Sequence, residues 1–219
     1  MKKMLLAATA IIAATAIAGS ASAATEFAGG TISYNVAATS DYVFRGFSQT
    51  DGDPAIQGGI DYSKGMFYVG GWASNVDFAD YEVDIYAGIK PTYEAFSFDL
   101  GAIYYNYNDG DLDSTELKAA VSHPLYKGTI GAAYFYNVDF DDTNYYEVNA
   151  SYPLTSKLSV SGALGQQESA GFKYSTGNIG LSYAISPMFS IDGRFSDTNV
   201  PESVEASKPR FAVTLKAAF

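Results

Sequence analysis

Beyond residue 23 the chain alternates apolar and polar side chains with a period of two, in segments of about ten residues separated by turn-forming groups. Successive side chains of a strand point to opposite faces of the sheet, so each segment has one apolar and one polar face. Tyr81, Val83, Ile85, Ala87 and Ile89 stand against Glu82, Asp84, Tyr86 and Lys90. Phe211, Val213, Leu215, Ala217 and Phe219 stand against Arg210, Ala212, Thr214, Lys216 and Ala218. The first segment reads Ile32, Tyr34, Val36, Ala38, Tyr42 and Phe44 against Ser33, Asn35, Thr39, Asp41 and Arg45. Over 66–75 the faces are ambiguous, because Phe67 and Val69 compete with Tyr68 and Trp72 for the outside. About twelve segments fit, each as long as a tilted strand needs to cross a bilayer. Ten or fourteen follow if a hairpin is merged or split.

A soluble barrel or sandwich shares this alternation, and two features separate the readings. The apolar faces carry almost no charge along any strand, whereas an outward face in water would carry many. Aromatics also gather at segment ends. Tyr62, Tyr93, Phe96, Tyr126, Tyr152, Tyr183 and Phe189 flank the short turns, and Phe44, Phe78, Tyr81, Tyr104, Tyr136, Tyr145, Tyr146 and Phe172 flank the longer loops. Two aromatic girdles around an apolar band suit a membrane. The expected fold is all-β, a transmembrane antiparallel up-and-down β-barrel of about twelve strands.

Met1-Lys-Lys, an apolar run from Met4 to Ala18 and the small-residue site Ala21-Ser-Ala23 form an export leader cleaved near Ala23. This predicts a leader over 1–23, a short periplasmic segment over 24–30 and the barrel over 31–219. The rest of the chain has no apolar run long enough for a spanning helix. The absence of Cys in all 219 residues leaves packing and ring closure to supply stability. Removing Lys2 and Lys3 from the 13 Lys and Arg leaves 11 against 24 Asp and Glu. Nucleic acid, whose binding depends on neutralising phosphates, is therefore not an expected partner.

The closing strand ending on Phe219 resembles those of bacterial outer-membrane barrels, where the terminal aromatic is read by the insertion machinery. The stretches Thr39-Ser-Asp-Tyr-Val-Phe-Arg-Gly46, Ser48-Gln-Thr50, Asp53-Pro-Ala-Ile-Gln-Gly-Gly59 and Trp72-Ala-Ser-Asn-Val76 resemble the TorF family of candidate porins. The match is densest over 35–78. It implies an outer-membrane porin and carries no assigned site residues.

With the apolar faces toward lipid, the other face lines a lumen: Asp41, Arg45, Asp61, Glu82, Asp84, Lys90, Asp99, Glu116, Lys118, Glu147, Asp192, Arg194, Arg210 and Lys216. Twelve strands enclose more room than small side chains fill, so either a water-filled passage or a charge-paired plug results. The longer connectors are acidic: Asp51 and Asp53; Asp77 and Asp80; Asp109, Asp111 and Asp113; Asp139, Asp141 and Asp142; Glu168; and Asp197, Glu202 and Glu205. A ring of one sign at a pore mouth concentrates ions of the other. The expected function is passive diffusion of small hydrophilic solutes or ions with weak cation preference; the alternative is a plugged structural or lipid-interacting barrel without channel activity. Its partners would be outer-membrane lipid, lipopolysaccharide, the insertion machinery at Phe219 and the solutes. No connector is long enough to be expected to fold inward as a constriction.

Asp109-Gly-Asp-Leu-Asp113 echoes a calcium loop but lacks the downstream bidentate Glu, so no metal or cofactor is expected. An enzyme is not expected either. The one histidine, His123, precedes Pro124 in a predicted short turn at the periplasmic end, away from the outer rim where a hydrolase would need its proton carrier.

Overall fold

The computed structural model describes residues 25–108 and 110–219, so the expected leader and Asp109 lie outside the described residues. Twelve long strands run antiparallel and close on themselves. After the short β1 (Thr25–Phe27) comes β2 (Gly30–Thr39), and β3 (Val43–Phe44) and β4 (Phe47–Ser48) form a two-residue ladder off the wall. The wall continues through β5 (Ala55–Lys64), β6 (Phe67–Ser74) and β7 (Glu82–Ile89), then, after β8 (Thr92–Tyr93), β9 (Phe96–Tyr107) and β10 (Ser114–Leu125). It is completed by β11 (Gly128–Asn137), β12 (Asn144–Pro153), β13 (Leu158–Ser169), β14 (Phe172–Ala184), β15 (Phe189–Thr198) and β16 (Arg210–Ala218). Each wall strand pairs with its sequence neighbours, and β2 joins β5 on one edge and β16 on the other.

The seam at β2 has three parts. Asn35 to Thr39 pair with Ala218 to Thr214. Phe219 then exchanges two backbone hydrogen bonds with Tyr34, at 2.8 and 2.9 Å. Below that, β1 takes the same edge, with Thr25 opposite Ile32 and Phe27 opposite Gly30. Such a ring has no open sheet edge, which a lipid-facing sheet requires.

Connections differ sharply between the two ends. At one end are tight turns at Gly65-Met66, Glu94-Ala95 and Tyr126-Lys127 and short bends at 154–157 and 185–188. The other end has the longer loops. Strand β10 runs through His123 and Pro124 to Leu125, so His123 lies in the wall opposite Ile130, its ring 4.7 Å from that of Phe96, and not in a turn. The expected acidic loop over 166–171 is instead a tight turn at Ala170 and Gly171, with Glu168 paired to Lys173 across the hairpin.

The outward faces follow the alternation. Ile85, Val148, Leu164, Ile179 and Phe211 are each more than half exposed on the outside of the wall. The ambiguous strand β6 puts Phe67 and Val69 outside and Trp72 inside. Four expected outward aromatics are not on that face: Tyr42 and Phe44 have left the wall, Tyr145 is buried in the lumen, and Phe172 packs inward on Tyr174. The buried core is therefore inside the barrel at its loop end, where Tyr42, Trp72, Ile103, Tyr105, Tyr107, Phe135 and Tyr145 pack together.

Inside the wall, tyrosines lie flat over glycines of neighbouring strands. A Cβ at Gly70 would strike the Tyr86 ring, and one at Gly165 would strike Tyr145. These glycines let rings hug the wall. Gly70→Val should dislodge Tyr86 and break its 2.7 Å hydrogen bond to Asp61, lowering stability by about 1–3 kcal/mol in urea unfolding. Ile179→Arg, in the outward belt, should cost about 2–4 kcal/mol when folding is measured into phospholipid vesicles. An unchanged midpoint would contradict a lipid-facing belt.

Candidate functional site

The first connection, residues 40–54, turns into the barrel. Strands β3 and β4 pair Val43 with Ser48 and Phe44 with Phe47, joined by the two-residue turn Arg45-Gly46. Both turn residues have positive φ, 43° and 86°, matching the twist preference of tight hairpins. A side chain at Gly46 would collide with Thr176 and Thr198, so the tip lies directly against β14 and β15. This corrects the expectation that no connection folds inward.

Asp41 is part of the hairpin base, not of a wall strand. Its Oδ1 accepts hydrogen bonds from Ser48 (2.6 Å) and Thr50 (3.2 Å), and its Oδ2 is 3.8 Å from Arg210 Nε. The Tyr42 N–H donates to Thr50 Oγ1, and the Gln49 N–H donates to the Tyr42 carbonyl at 2.7 Å. Short polar side chains thus close this segment on itself, as they do in turns generally.

Arg45, at the tip, crosses to the far wall. Its Nη1 and Nη2 donate to Glu116 Oε1 and Oε2 of β10 at 3.0 and 2.9 Å, a bidentate pair, and Nη1 also donates to Gln167 Oε1 of β13 at 3.0 Å. The guanidinium carbon is 4.1 Å from the Tyr145 ring centre, 5.1 Å from that of Phe135 and 4.7 Å from that of Phe44. The Tyr174 hydroxyl donates to the Arg45 carbonyl, and the Phe47 ring meets Tyr174 edge-on at 5.0 Å. Both charged side chains of the pair are about 5% exposed. Removing one partner of such a pair leaves the other buried and uncompensated, at a cost of about 3–5 kcal/mol.

Beneath the hairpin, β7 contributes two more buried carboxylates. Glu82 accepts hydrogen bonds from Tyr42 (3.1 Å) and Tyr107 (2.9 Å). Asp84 sits in a register row that runs Trp72, Asp84, Tyr105, Ser114 across β6, β7, β9 and β10. Trp72 Nε1, Asp84 Oδ1 and Ser114 Oγ in this row are buried without a hydrogen-bond partner. Each such atom costs about 1–3 kcal/mol, so seating the hairpin over this wall carries a penalty.

The turn-end half of the lumen is more open. Asp99 accepts hydrogen bonds from Lys118 and Tyr68 at 2.7 Å each, and Asp192 holds Arg194, which also reaches Asn178 and Ser161. Glu147 accepts from Tyr145 and Asn149. Lys90 stands at the turn-end mouth over the Tyr68 ring, and Lys216 on β16 lies partly buried. Of the sequence-derived lumen set, the structure gathers Arg45, Glu82, Asp84 and Glu116 at the loop end. It spreads Lys90, Asp99, Lys118, Glu147, Asp192, Arg194 and Lys216 through the other half.

The acidic rim divides in the same way. Asp51, Asp53, Asp77, Asp141 and Asp142 are exposed. Asp80, Asp113 and Asp139 instead tie loop ends together through Asn108, through Tyr104, Asn106 and the Tyr107 N–H, and through the Thr115 N–H. Burial works to raise the Asp113 pKa, but the hydrogen bonds it accepts outweigh this and hold it below the ordinary carboxylate value. Lys208 lowers that of Glu205 through a 2.6 Å hydrogen bond, against a smaller effect of burial. Asp111 is exposed in a 3-10 turn, and among the described residues no three His, Asp or Glu are placed to hold a metal ion. Sequence reasoning missed Gln167, Tyr174, Phe135 and Trp72 as partners of the hairpin. The available clue was Gly46, a glycine at the boundary between the alternating residues and the polar connector that follows.

The chain is similar in fold to solved porins. A KdgM porin structure aligns with a TM-score of 0.64 at 10% identity, covering 86% of this chain and 98% of that one. KdgM porin in complex with disordered oligogalacturonate gives 0.61 at 10% identity over the same shares. NanC porin gives 0.62 at 9% identity, covering 85% of this chain and 98% of that one. At these identities the likeness is one of fold. Comparison with curated proteins gives no sequence match. The profile of the Gcw_chp family, described as a bacterial protein of unknown function, matches residues 23–219, and the chain belongs to that family.

Proposed function

We propose that this chain is an outer-membrane porin for small hydrophilic solutes or ions, with its passage set by the inward-folded hairpin. The leader would export it, the belt would face lipid and lipopolysaccharide, and Phe219 would address it to the insertion machinery. The tight turns and both ends of the wall would face the periplasm, and the loops the outside. Its resemblance to the TorF family and the fold it shares with porins support this reading. The single observation that carries it is the asymmetry of the lumen: half-open and lined by paired charges at the turn end, covered by a polar hairpin at the loop end.

A hairpin held by the Arg45–Glu116 and Asp41–Arg210 pairs, hydrogen bonds and three aromatic rings, over three unpaired polar atoms, acts on this reading as a removable cover. Withdrawing it would return Asp84, Trp72 and Ser114 to water, which offsets part of the lost Arg45 contacts. The exposed Asp51, Asp53, Asp141 and Asp142 would favour cations at the outer mouth. A plugged structural barrel is the second reading, favoured by the bidentate anchoring of Arg45.

Single-channel recording in a planar bilayer under a salt gradient tests both. Purified protein should give small, brief steps whose reversal potential favours cations. Arg45→Gly, which suits the positive φ of the turn, should raise the conducting fraction at least about tenfold, because each 1.4 kcal/mol taken from the closed state is a factor of ten. Changing Asp51, Asp53, Asp141 and Asp142 to Asn should move the reversal potential toward zero. Silence from both the folded parent and Arg45→Gly would establish the plugged barrel.

A further inference from the structure

The contacts made by Arg45 describe a receptor as much as an anchor. One wall supplies a carboxylate presented edge-on, with both Glu116 oxygens engaged, and an amide oxygen from Gln167 beside it. The rings of Phe135 and Tyr145 lie 5.1 and 4.1 Å from the cation, closing the site with π-faces. Glu116, Phe135, Tyr145 and Gln167 are each no more than 5% exposed, and they come from four successive wall strands, so the pocket belongs to the wall and not to the hairpin. A carboxylate that accepts from both arms of a fork, with an amide oxygen beside it and two aromatic faces flanking the cation, is the arrangement that recognises a planar guanidinium and discriminates against a compact ammonium.

We infer that this wall pocket is a binding site for solutes bearing a guanidinium or similar planar organic cation, with Arg45 acting as a tethered stand-in. This rests on the porin reading and names a solute class for it. A solute entering from the acidic rim competes with Arg45 for Glu116, and its binding is coupled to release of the hairpin, because both cannot occupy the pocket. The tether gives Arg45 an effective concentration in about the millimolar range or above, so free solute acts at comparable concentrations. Selectivity then arises from displacement of an internal ligand, in addition to the size of the opening.

Liposome swelling with L-argininamide and L-lysinamide, two dications of similar size, tests the inference in the parent protein. Argininamide should enter several-fold faster, and Glu116→Gln should abolish the difference while both still enter. Equal entry of the two in the parent would overturn the inference and leave the channel reading standing. If neither enters, the channel reading fails, and calorimetry on the detergent-folded Arg45→Gly barrel decides the pocket. Saturable binding of argininamide, weakened roughly tenfold or more by adding Glu116→Gln, would uphold it. No binding to barrel shown folded by heat-modifiable mobility would overturn it. Should the Glu116→Gln barrel not fold, Gln167→Ala replaces it, with a smaller loss of binding expected.

Discussion

Everything in this structure follows from closing a sheet whose outer face is apolar. A strand in such a wall must find partners for its backbone on both edges, because the medium outside supplies none. The decisive pairing is therefore that of β2, which holds β5 along one edge and β16, Phe219 and β1 along the other. Strands β1 and β16 share one edge of β2, so Phe219 and the first described residues complete a single ladder. With that ladder in place, alternation alone decides which side chains face out and which face in.

Closure creates the next problem. Twelve strands enclose a bore too wide to be filled by wall side chains alone, as smaller barrels can be. Here the chain fills the loop-end half with its own backbone, using the first connection after closure of the wall begins. The inserted hairpin brings little apolar surface beyond Tyr42, Phe44 and Phe47, so it is held by an ion pair, tyrosine hydroxyls and short polar side chains. Because polar contacts exchange for water at low net cost, a polar plug is easier to lift than an apolar one of equal area. The last connection, residues 199–209 between β15 and β16, supports it, with Val200 and Ala206 packed on Phe47 and Tyr174, and Arg210 bridging Asp41 and Glu205.

The wall was legible in the amino-acid sequence because its rule is local: Ile85 faces out since Glu82 and Asp84 face in, whatever the rest of the chain does. The belt, the strand count and the division into tight turns and longer loops all rest on that rule. Residues 40–54 escaped it. Asp41, Tyr42, Phe44 and Arg45 keep the alternating pattern of β2, with Ser40 and Val43 out of step, so by periodicity they read as the top of the first strand. What redirects them is Asp41 capturing Ser48 and Thr50, a contact that closes only in three dimensions, and Glu116, which is distant in sequence. In the same way Asp80, Asp113 and Asp139 read as mouth acids by composition, but backbone and side-chain donors at the loop ends engage them. A carboxylate near a turn can serve either purpose, and only the position of its donors decides.

The placement of charge links these two halves of the argument. Asp51, Asp53, Asp77, Asp141 and Asp142 are exposed at the rim, whereas Glu116 beneath the hairpin is buried against the Arg45 guanidinium and Glu82 is buried against tyrosine hydroxyls. A buried group of carboxylates with a single cation is stable only while that cation stays, or while another positive group replaces it. The hairpin is thus most readily exchanged for something that resembles its own tip. On the proposed reading, cation attraction at the mouth and cation exchange in the lumen are two stages of one electrostatic gradient, and the inward turn at Arg45-Gly46 is the point where the chain itself occupies that gradient.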